Sequence, residues 1–384
     1  MRCGWVNSCE SCQLRPRHLA AAPLVAAAMR VYSLVVSVVV VLVLATCAQC
    51  GTVTVAQQAL AIADVEALIA AQPARTAELV RLGFHDSVGV SPNHVSDGCI
   101  NLENADNKGL INIVGAMENL YVNRQSKLEY GQMSRADFWA LGGIVAARVG
   151  AANSAACTAG VCVPPMPLTY GRKDCATSPK TAAAGSFPNA QGGMSTVMNL
   201  FRNEMGFTDR EVVALMGAHS LGAAEAADSG GFTGPWTRQP NTLDNEFYKE
   251  MVNSAWRQNA RAVPGASPVH QWDSGAGGRP VMMLNTDMCL HRQIAPNTAG
   301  VSSCAADPNA CPVAVTDRGV NTTVIVAEYA ANNTRWALDF GPVYYKLVSM
   351  NTPGLVSAGE EVPNTVEPTT ASAAAGLVPS AMVA

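Results

Sequence analysis

Arg81 and His85 stand four residues apart in the stretch LVRLGFHDSVGV, with Phe84 between them and Asp86 directly after. That spacing is about one helical turn, so both side chains project into one space. An imidazole that takes up and returns a proton, beside a fixed cation, suits acid–base work on a group that gains negative charge. The same spacing also fits a surface arginine next to a structural histidine, so the rest of the chain has to decide. A second histidine, His219, lies in LMGAHSLG. It falls near the C-terminal end of a capped helix, on a face with Leu215 and Ala218, where an isolated histidine is ordinarily a core residue. His94, His270 and His291 have no motif around them, and surface or core positions are their default.

The elements that must position these residues are helices. Residues 55–72 set Ala, Leu, Ile and Val at helical spacing. SRADFWALGGIVAARVG opens with Ser134 and Asp137 in a capping arrangement. TDREVVALMGAHSLG opens with Thr208 as cap and Glu211 reaching back, which predicts a helix to about Leu221. Residues 151–192 between them form a loop-rich segment full of Pro, Gly and Cys. Strand-like alternation is scarce and no repeat is present. The pattern predicts a mostly α-helical protein with long loops.

The chain has 384 residues, 49% of them hydrophobic and 14% charged, which is ample for a sizeable core in one large or two ordinary domains. A net charge of −4 without clusters of Lys or Arg gives no electrostatic case for nucleic acid. Residues 1–48 read as a leader. Within it, 29–48 combine a basic start, an apolar run and small residues near Ala45–Ala48, the pattern of a secretory signal. The apolar run is shorter than the roughly 20 residues needed to span a bilayer, so cleavage is expected rather than membrane insertion. The twelve cysteines fit an oxidising compartment. The eight from Cys50 onward lack a zinc-type pairing and point to disulfides of unassigned connectivity. Asn321 and Asn332 lie in N-x-T sequons, usable if the chain is secreted. From Pro353 to Ala384 the composition of Ala, Thr, Ser, Pro and Val predicts a disordered tail.

Taken together and in order, several motifs resemble the plant–fungal–bacterial (non-animal) haem peroxidase superfamily, over roughly residues 55–350. RLGFHD is similar to that family's distal helix and GAHSLG to its proximal-histidine motif. PMPLTYGRKD, GPWT…P…LDNEFY, NTDM and VAEYAANNTRWALDFGPVYYKLV resemble the ascorbate and cytochrome c peroxidase branch. The resemblance implies an all-α haem peroxidase fold, two helical halves with haem b between them, and hydrogen peroxide and small reducing donors as substrates. It implies His219 as axial ligand of the haem iron, Asp287 as acceptor of the His219 ring N–H, and Trp236 beside the ligand and sharing Asp287. On the other face, His85 would move the peroxide proton, Arg81 would stabilise charge on the leaving oxygen, and Asn107 would orient His85. As a residue, Asn107 equally fits an ordinary turn in DNKG.

The chain departs from any one branch. Phe84 is the distal aromatic of secreted members, whereas Trp236 is the proximal aromatic of intracellular ones. Asp228 stands where ascorbate peroxidases carry an ascorbate-binding arginine, so small neutral phenols are the expected donors. Ala214 stands where some ligninolytic members carry a surface Trp. The manganese positions of fungal members correspond to Ala74, Glu78 and Glu225, two acids out of three. Ser220, Thr237, Gln239, Thr242 and Asp244 match the proximal cation positions; one carboxylate among them favours potassium over calcium. The distal calcium positions correspond to Asp86, the Val95 carbonyl, Asp97 and Cys99, where the cysteine breaks the oxygen set and fits a disulfide better. A manganese or ascorbate peroxidase, or a secreted haem protein of a matrix with little turnover, are the alternatives. The oligomeric state and the physiological donor are not legible.

Overall fold

A computed structural model describes residues 53–88, 94–157, 163–175, 187–275 and 280–360. The leader and signal expected over residues 1–48 lie outside the described residues, as does the chain from 361 onward.

Thr54 opens the helical body. Its hydroxyl accepts the Gln57 N–H while the Gln57 side chain accepts the Thr54 N–H, so helix α1 (Val55–Ala71) starts on a capping box. Helix α2 (Arg75–Ser87) carries Arg81, Phe84 and His85. Helix α3 (Ile111–Gln125) follows, then α4 (Arg135–Ala152), whose first turn is capped by the Ser134 hydroxyl as expected. Nearly all of α4 is buried, which explains why it shows no clear polar face: α1, α2 and α3 all pack on it. Helix α5 (Met194–Met198) runs on through a π-helical turn at Asn199–Glu204. Helix α6 (Asp209–Met216) starts on the expected Thr208–Glu211 capping box. It then tightens into a 3₁₀ turn, Gly217–Ser220, and ends one residue before Leu221. His219 is therefore presented from a 3₁₀ turn, not from a regular α-helix.

Helices α7 (Glu246–Asn253) and α9 (Thr322–Ala331) pack on each other, and α10 (Asn333–Val348) crosses between α6 and α2. Two groups of helices thus form: α1–α4 around Arg81 and His85, and α6, α7 and α9 around His219, with α10 touching both. Asn321 and Asn332, the exposed sequon residues, cap α9 and α10. Among the described residues no helix is long and apolar enough to cross a membrane.

The strands are short. β1 (Thr169–Tyr170) pairs antiparallel with β7 (Val356–Ser357). This corrects the start of the expected tail: residues 353–360 belong to the ordered body, and the Gly359 N–H bonds to the Val53 carbonyl. Backbone pairing, which composition does not report, fixes them. β2 (Ala223–Ala224) pairs with β3 (Gly234–Pro235), which brings Trp236 back beside His219. β4 (Arg257–Arg261), β5 (Val269–Ser274) and β6 (Val281–Met283) form an antiparallel sheet, with Trp272 paired to Gln258 and Met283. β6 leads directly into the short helix α8 (Asn285–Met288), which carries Asp287.

Disulfides join Cys99 to Cys175 and Cys304 to Cys311, and Cys157 is also disulfide-bonded. Cys289 is a free, buried thiol whose S–H donates to the Thr286 carbonyl.

Candidate active site

Two glycines let the Arg81–His85 helix sit where it does. A Cβ on Gly83 would stand 2.5 Å from the Tyr344 hydroxyl, and one on Gly143 of α4 would stand 2.4 Å from it. With both side chains absent, the Tyr344 O–H reaches the Val80 carbonyl at 2.9 Å and locks α10 onto α2. Asp86, the residue after His85, turns into the protein and accepts the Gly98 and Cys99 N–H groups at 3.2 and 3.1 Å.

His85 is held from both ring nitrogens. The Asn107 Nδ2 donates to the Asn101 carbonyl at 2.7 Å, which aims its Oδ1 at His85 Nδ1, 2.8 Å away. Nδ1 must then carry the ring proton and Nε2 the lone pair. The Arg81 Nε–H donates to that Nε2 at 3.2 Å. Burial, followed by the neighbouring Arg81 charge, lowers the His85 pKa to about 3, against a weaker upward pull from Asn107. His85 is thus a neutral base. Asn107 closes a 3₁₀ turn, Ala105–Asn107, so both readings of it hold: it is a turn residue and it orients the histidine. The same turn grips Arg81, whose Nη1 and Nη2 donate to the Lys108 and Asp106 carbonyls, each at 3.0 Å. Burial lowers the Arg81 pKa, opposed by Asp228 and then Asp106.

A disulfide pins the loop behind this relay. Cys99 is bonded to Cys175, and the Cys175 N–H donates to the Asp97 carbonyl. Asp174 accepts the Arg135 and Ala136 N–H groups at the start of α4. Arg172 and Asp137, both buried, pair at 3.0 Å, and Arg172 also reaches the Val348 carbonyl of α10. The GRKD segment is therefore an anchor. The calcium positions at Asp86 and Cys99 are spent on backbone N–H groups and a disulfide, in line with the broken oxygen set.

Phe84 packs edge-on to His85 and stacks on Phe201, and Phe187 stacks on His85 at 4.5 Å between ring centroids. Sequence reasoning missed Phe187 and Phe201. One lies in an irregular loop and the other in the π-helical turn, and neither has a spacing to betray it.

On the other side, Asp287 collects three donors. His219 Nδ1 donates to its Oδ1 at 2.7 Å, and the Trp236 Nε1–H and the Leu284 N–H donate to its Oδ2 at 2.9 and 2.8 Å. Asp287 is fully buried, while the His219 side chain is 33% exposed. The Trp236 ring stacks on that of His219 at 4.5 Å. With Nδ1 committed to a carboxylate, Nε2 is the nitrogen left for a metal, which is the donor set that an axial haem ligand needs.

The five proximal cation residues come together, Gln239 through its backbone. Thr237 Oγ1 donates to the Ser220 carbonyl, Ser220 Oγ to the Thr242 carbonyl, and the Asp244 N–H to Ser220 Oγ. Gln239 enters through its carbonyl, which accepts the Thr242 hydroxyl. Asp244 itself accepts the Ser154 hydroxyl at 2.6 Å and the Glu246 N–H. No group of three His, Cys, Asp or Glu side chains able to hold a metal ion occurs among the described residues. Ala214 is buried in α6, and Asp228 is exposed, on a turn that follows β2.

The peroxidase family profile matches residues 61–304, from within α1 to beyond α8. A heme-binding peroxidase of Pyricularia oryzae is 32% identical over 221 residues, 55% of this chain and 67% of the relative. The mitochondrial cytochrome c peroxidase of the same fungus is 35% identical over 168 residues, 43% of this chain and 40% of the relative. Peroxisomal L-ascorbate peroxidase 5 of Arabidopsis thaliana is 33% identical over 196 residues, 49% of this chain and 62% of the relative. The last two are thus spanned over less than two thirds of their length. Because the match runs through both histidines, through Asn107 and through the carboxylate that polarises His219, the chain belongs to the non-animal haem peroxidase superfamily.

Proposed function

We propose that the protein reduces hydrogen peroxide to water with haem b and oxidises small phenolic donors in one-electron steps. The observation that carries this reading is the His85 arrangement: a neutral imidazole with its lone pair on Nε2, beside a guanidinium fixed by two carbonyls. The haem, when bound, supplies the redox chemistry. His219 would hold it through Nε2, and Asp287 would give that imidazole anionic character. His85 takes one peroxide proton on Nε2 and returns it to the leaving oxygen, and Arg81 stabilises the charge that develops there. Haem-loaded protein mixed with peroxide should show a fast change in haem absorbance that His85→Ala slows. A wild-type protein that stays spectrally unchanged refutes the reading.

For the donor, Asp228 carries the argument. A Cβ on Gly109 would lie 3.3 Å from both Arg81 Nη1 and Asp228 Oδ2, so the acid sits close to the site's cation. An anion such as ascorbate meets a negative charge there, and a neutral phenol does not. Asp228→Asn should raise ascorbate turnover relative to phenol turnover. An arginine at this position would also repel Arg81, so asparagine is the cleaner substitution. Equal or better wild-type kcat/KM for ascorbate removes this donor assignment.

A second reading is favoured by Trp236, which stacks on His219 and shares Asp287. It would pass electrons from a protein donor. Trp236→Phe should then lose activity toward that donor alone and keep phenol oxidation. Secretion is supported by the signal-like residues 29–48, the disulfides and the exposed sequons. Sequencing the N-terminus of the mature chain recovered from culture medium tests it. A potassium ion at Ser220, Thr237, Gln239, Thr242 and Asp244 is supported by their clustering. Dialysis against potassium-free buffer should lower thermal stability if it is held.

A further inference from the structure

The aromatic side chains beside His219 form a continuous series of ring contacts that peroxide activation does not use. His219 meets Phe247 at 6.0 Å between centroids, Phe247 meets Tyr248 at 5.1 Å, and Tyr248 meets Tyr329 at 5.2 Å and Trp336 at 6.2 Å. Phe247, Tyr248, Tyr329 and Trp336 are all buried. A phenol that loses an electron becomes strongly acidic, so a buried tyrosine is readily oxidised only where a base takes its proton at the same time. Tyr248 donates its O–H to the Val213 carbonyl at 2.6 Å, and Trp336 donates its N–H to the Ala214 carbonyl at 3.0 Å. A peptide carbonyl does not keep a proton.

Tyr329 differs. Its O–H donates to Asp339 Oδ2 at 2.7 Å. Asp339 is 21% exposed and is bridged by Arg210 and Arg335, so a proton placed on it has a way to water. The Arg210 guanidinium lies 5.1 Å over the Tyr329 ring, which disfavours a ring cation and favours a neutral radical. Burial and Asp339 hold the phenol protonated well above its ordinary range, so the proton does not leave ahead of the electron. Tyr130 makes the same kind of bond, to Asp64 at 2.9 Å. Its ring contacts, Tyr121 and Phe138, lead to neither histidine among the described residues.

We propose that Tyr329 is an internal electron donor to the haem site. The proposal rests on the peroxidase reading above. Hydrogen peroxide, on reduction to water, leaves the site two electrons short. One electron passes from Tyr329 by way of Tyr248 and Phe247, the phenolic proton crosses the existing hydrogen bond to Asp339, and a neutral tyrosyl radical remains. Only the O–H bond breaks. An external one-electron donor later restores the phenol, with the proton returning from Asp339. The device holds an oxidising equivalent away from the haem when donor is scarce.

Rapid-freeze electron paramagnetic resonance on haem-loaded protein, after one equivalent of peroxide without donor, tests this. Wild type should show a tyrosyl radical, Tyr329→Phe and Asp339→Asn should lose it, and Tyr130→Phe should keep it. Tyr329→Phe should also retain phenol turnover at saturating donor and bleach faster under excess peroxide, which separates the effect from misfolding. A tyrosyl signal that persists in Tyr329→Phe overturns the proposal. So does a wild type without such a signal whose haem absorbance shows that peroxide has reacted. A wild type whose absorbance does not respond brings down the peroxidase reading first, and this one with it.

Discussion

His85 and His219 are both fixed through Nδ1, but by opposite means. His219 donates to a fully buried carboxylate that takes two further N–H groups and is set in the core between a sheet and a 3₁₀ turn. His85 donates to a neutral amide on a short turn, which is itself aimed by one backbone carbonyl and backed by a disulfide. A metal ligand gains from a negative partner that strengthens its remaining lone pair. A general base must release the proton it takes, and a carboxylate behind it would hold that proton too firmly. The two histidines differ in role because their acceptors differ in charge.

The largest effect expected from breaking this contrast is on rate. His85→Ala should slow peroxide activation about 10²–10⁴-fold in stopped-flow absorbance while haem stays bound, since Arg81 cannot serve as a base. His219→Ala should instead change the haem spectrum or lose haem. Near-normal activation in His85→Ala would erase the distinction.

Next comes stability. Asp287→Ala leaves three donors without their acceptor in the core and should cost about 3–5 kcal/mol by denaturant titration of the haem-free protein. Asn107→Ala removes a neutral acceptor and should cost about 1–3 kcal/mol. The reverse ranking would show that the buried carboxylate is not what fixes the His219 side.

Removing the Cys99–Cys175 bond with paired serines should cost about 2–4 kcal/mol. It should also slow peroxide activation, because Cys99 lies two residues before the carbonyl that aims Asn107. A stability loss with unaltered activation would reduce the disulfide to a staple.

The smallest change in rate is expected with pH. His85 has its pKa lowered to about 3, so the base is available throughout mildly acidic solution and the activation rate should stay flat until pH nears that value. An inflection near the ordinary histidine value of about 6.5 would mean that the imidazole is solvated. The sign for stability is the opposite of that for a paired histidine. The unfolded chain takes up a proton below about pH 6.5 and the folded one does not. His85 therefore costs stability as pH falls from there toward its folded pKa, by about 1.4 kcal/mol for each pH unit crossed.

The capping residues were legible because helix starts are local chemistry. Thr208 with Glu211, and Ser134 with Asp137, bond within one turn of themselves. Arg81 and His85 were legible for the same reason, since a single turn relates them. Asn107 was legible only through the family resemblance, because its partner lies 22 residues away across a loop. Phe187 and Phe201 were not legible at all. The strand at Val356–Ser357 was hidden within a low-complexity composition, since its partner β1 lies far away in the chain.

The sequence by itself determined the helical stretch after residue 55, the capped helices that open at Ser134 and Thr208, the one-turn pairing of a cation with a base, and the family to which those motifs point, since each rests on side chains within a few residues of one another. The tertiary structure decided what each histidine is for. The acceptor of His219 comes from a helix 68 residues on, brought there by a three-stranded sheet. The acceptor of His85 comes from a turn fixed through a disulfide of sequence separation 76. A histidine's proton is placed by whatever faces its second nitrogen, and for both of these histidines that partner is supplied by a distant segment.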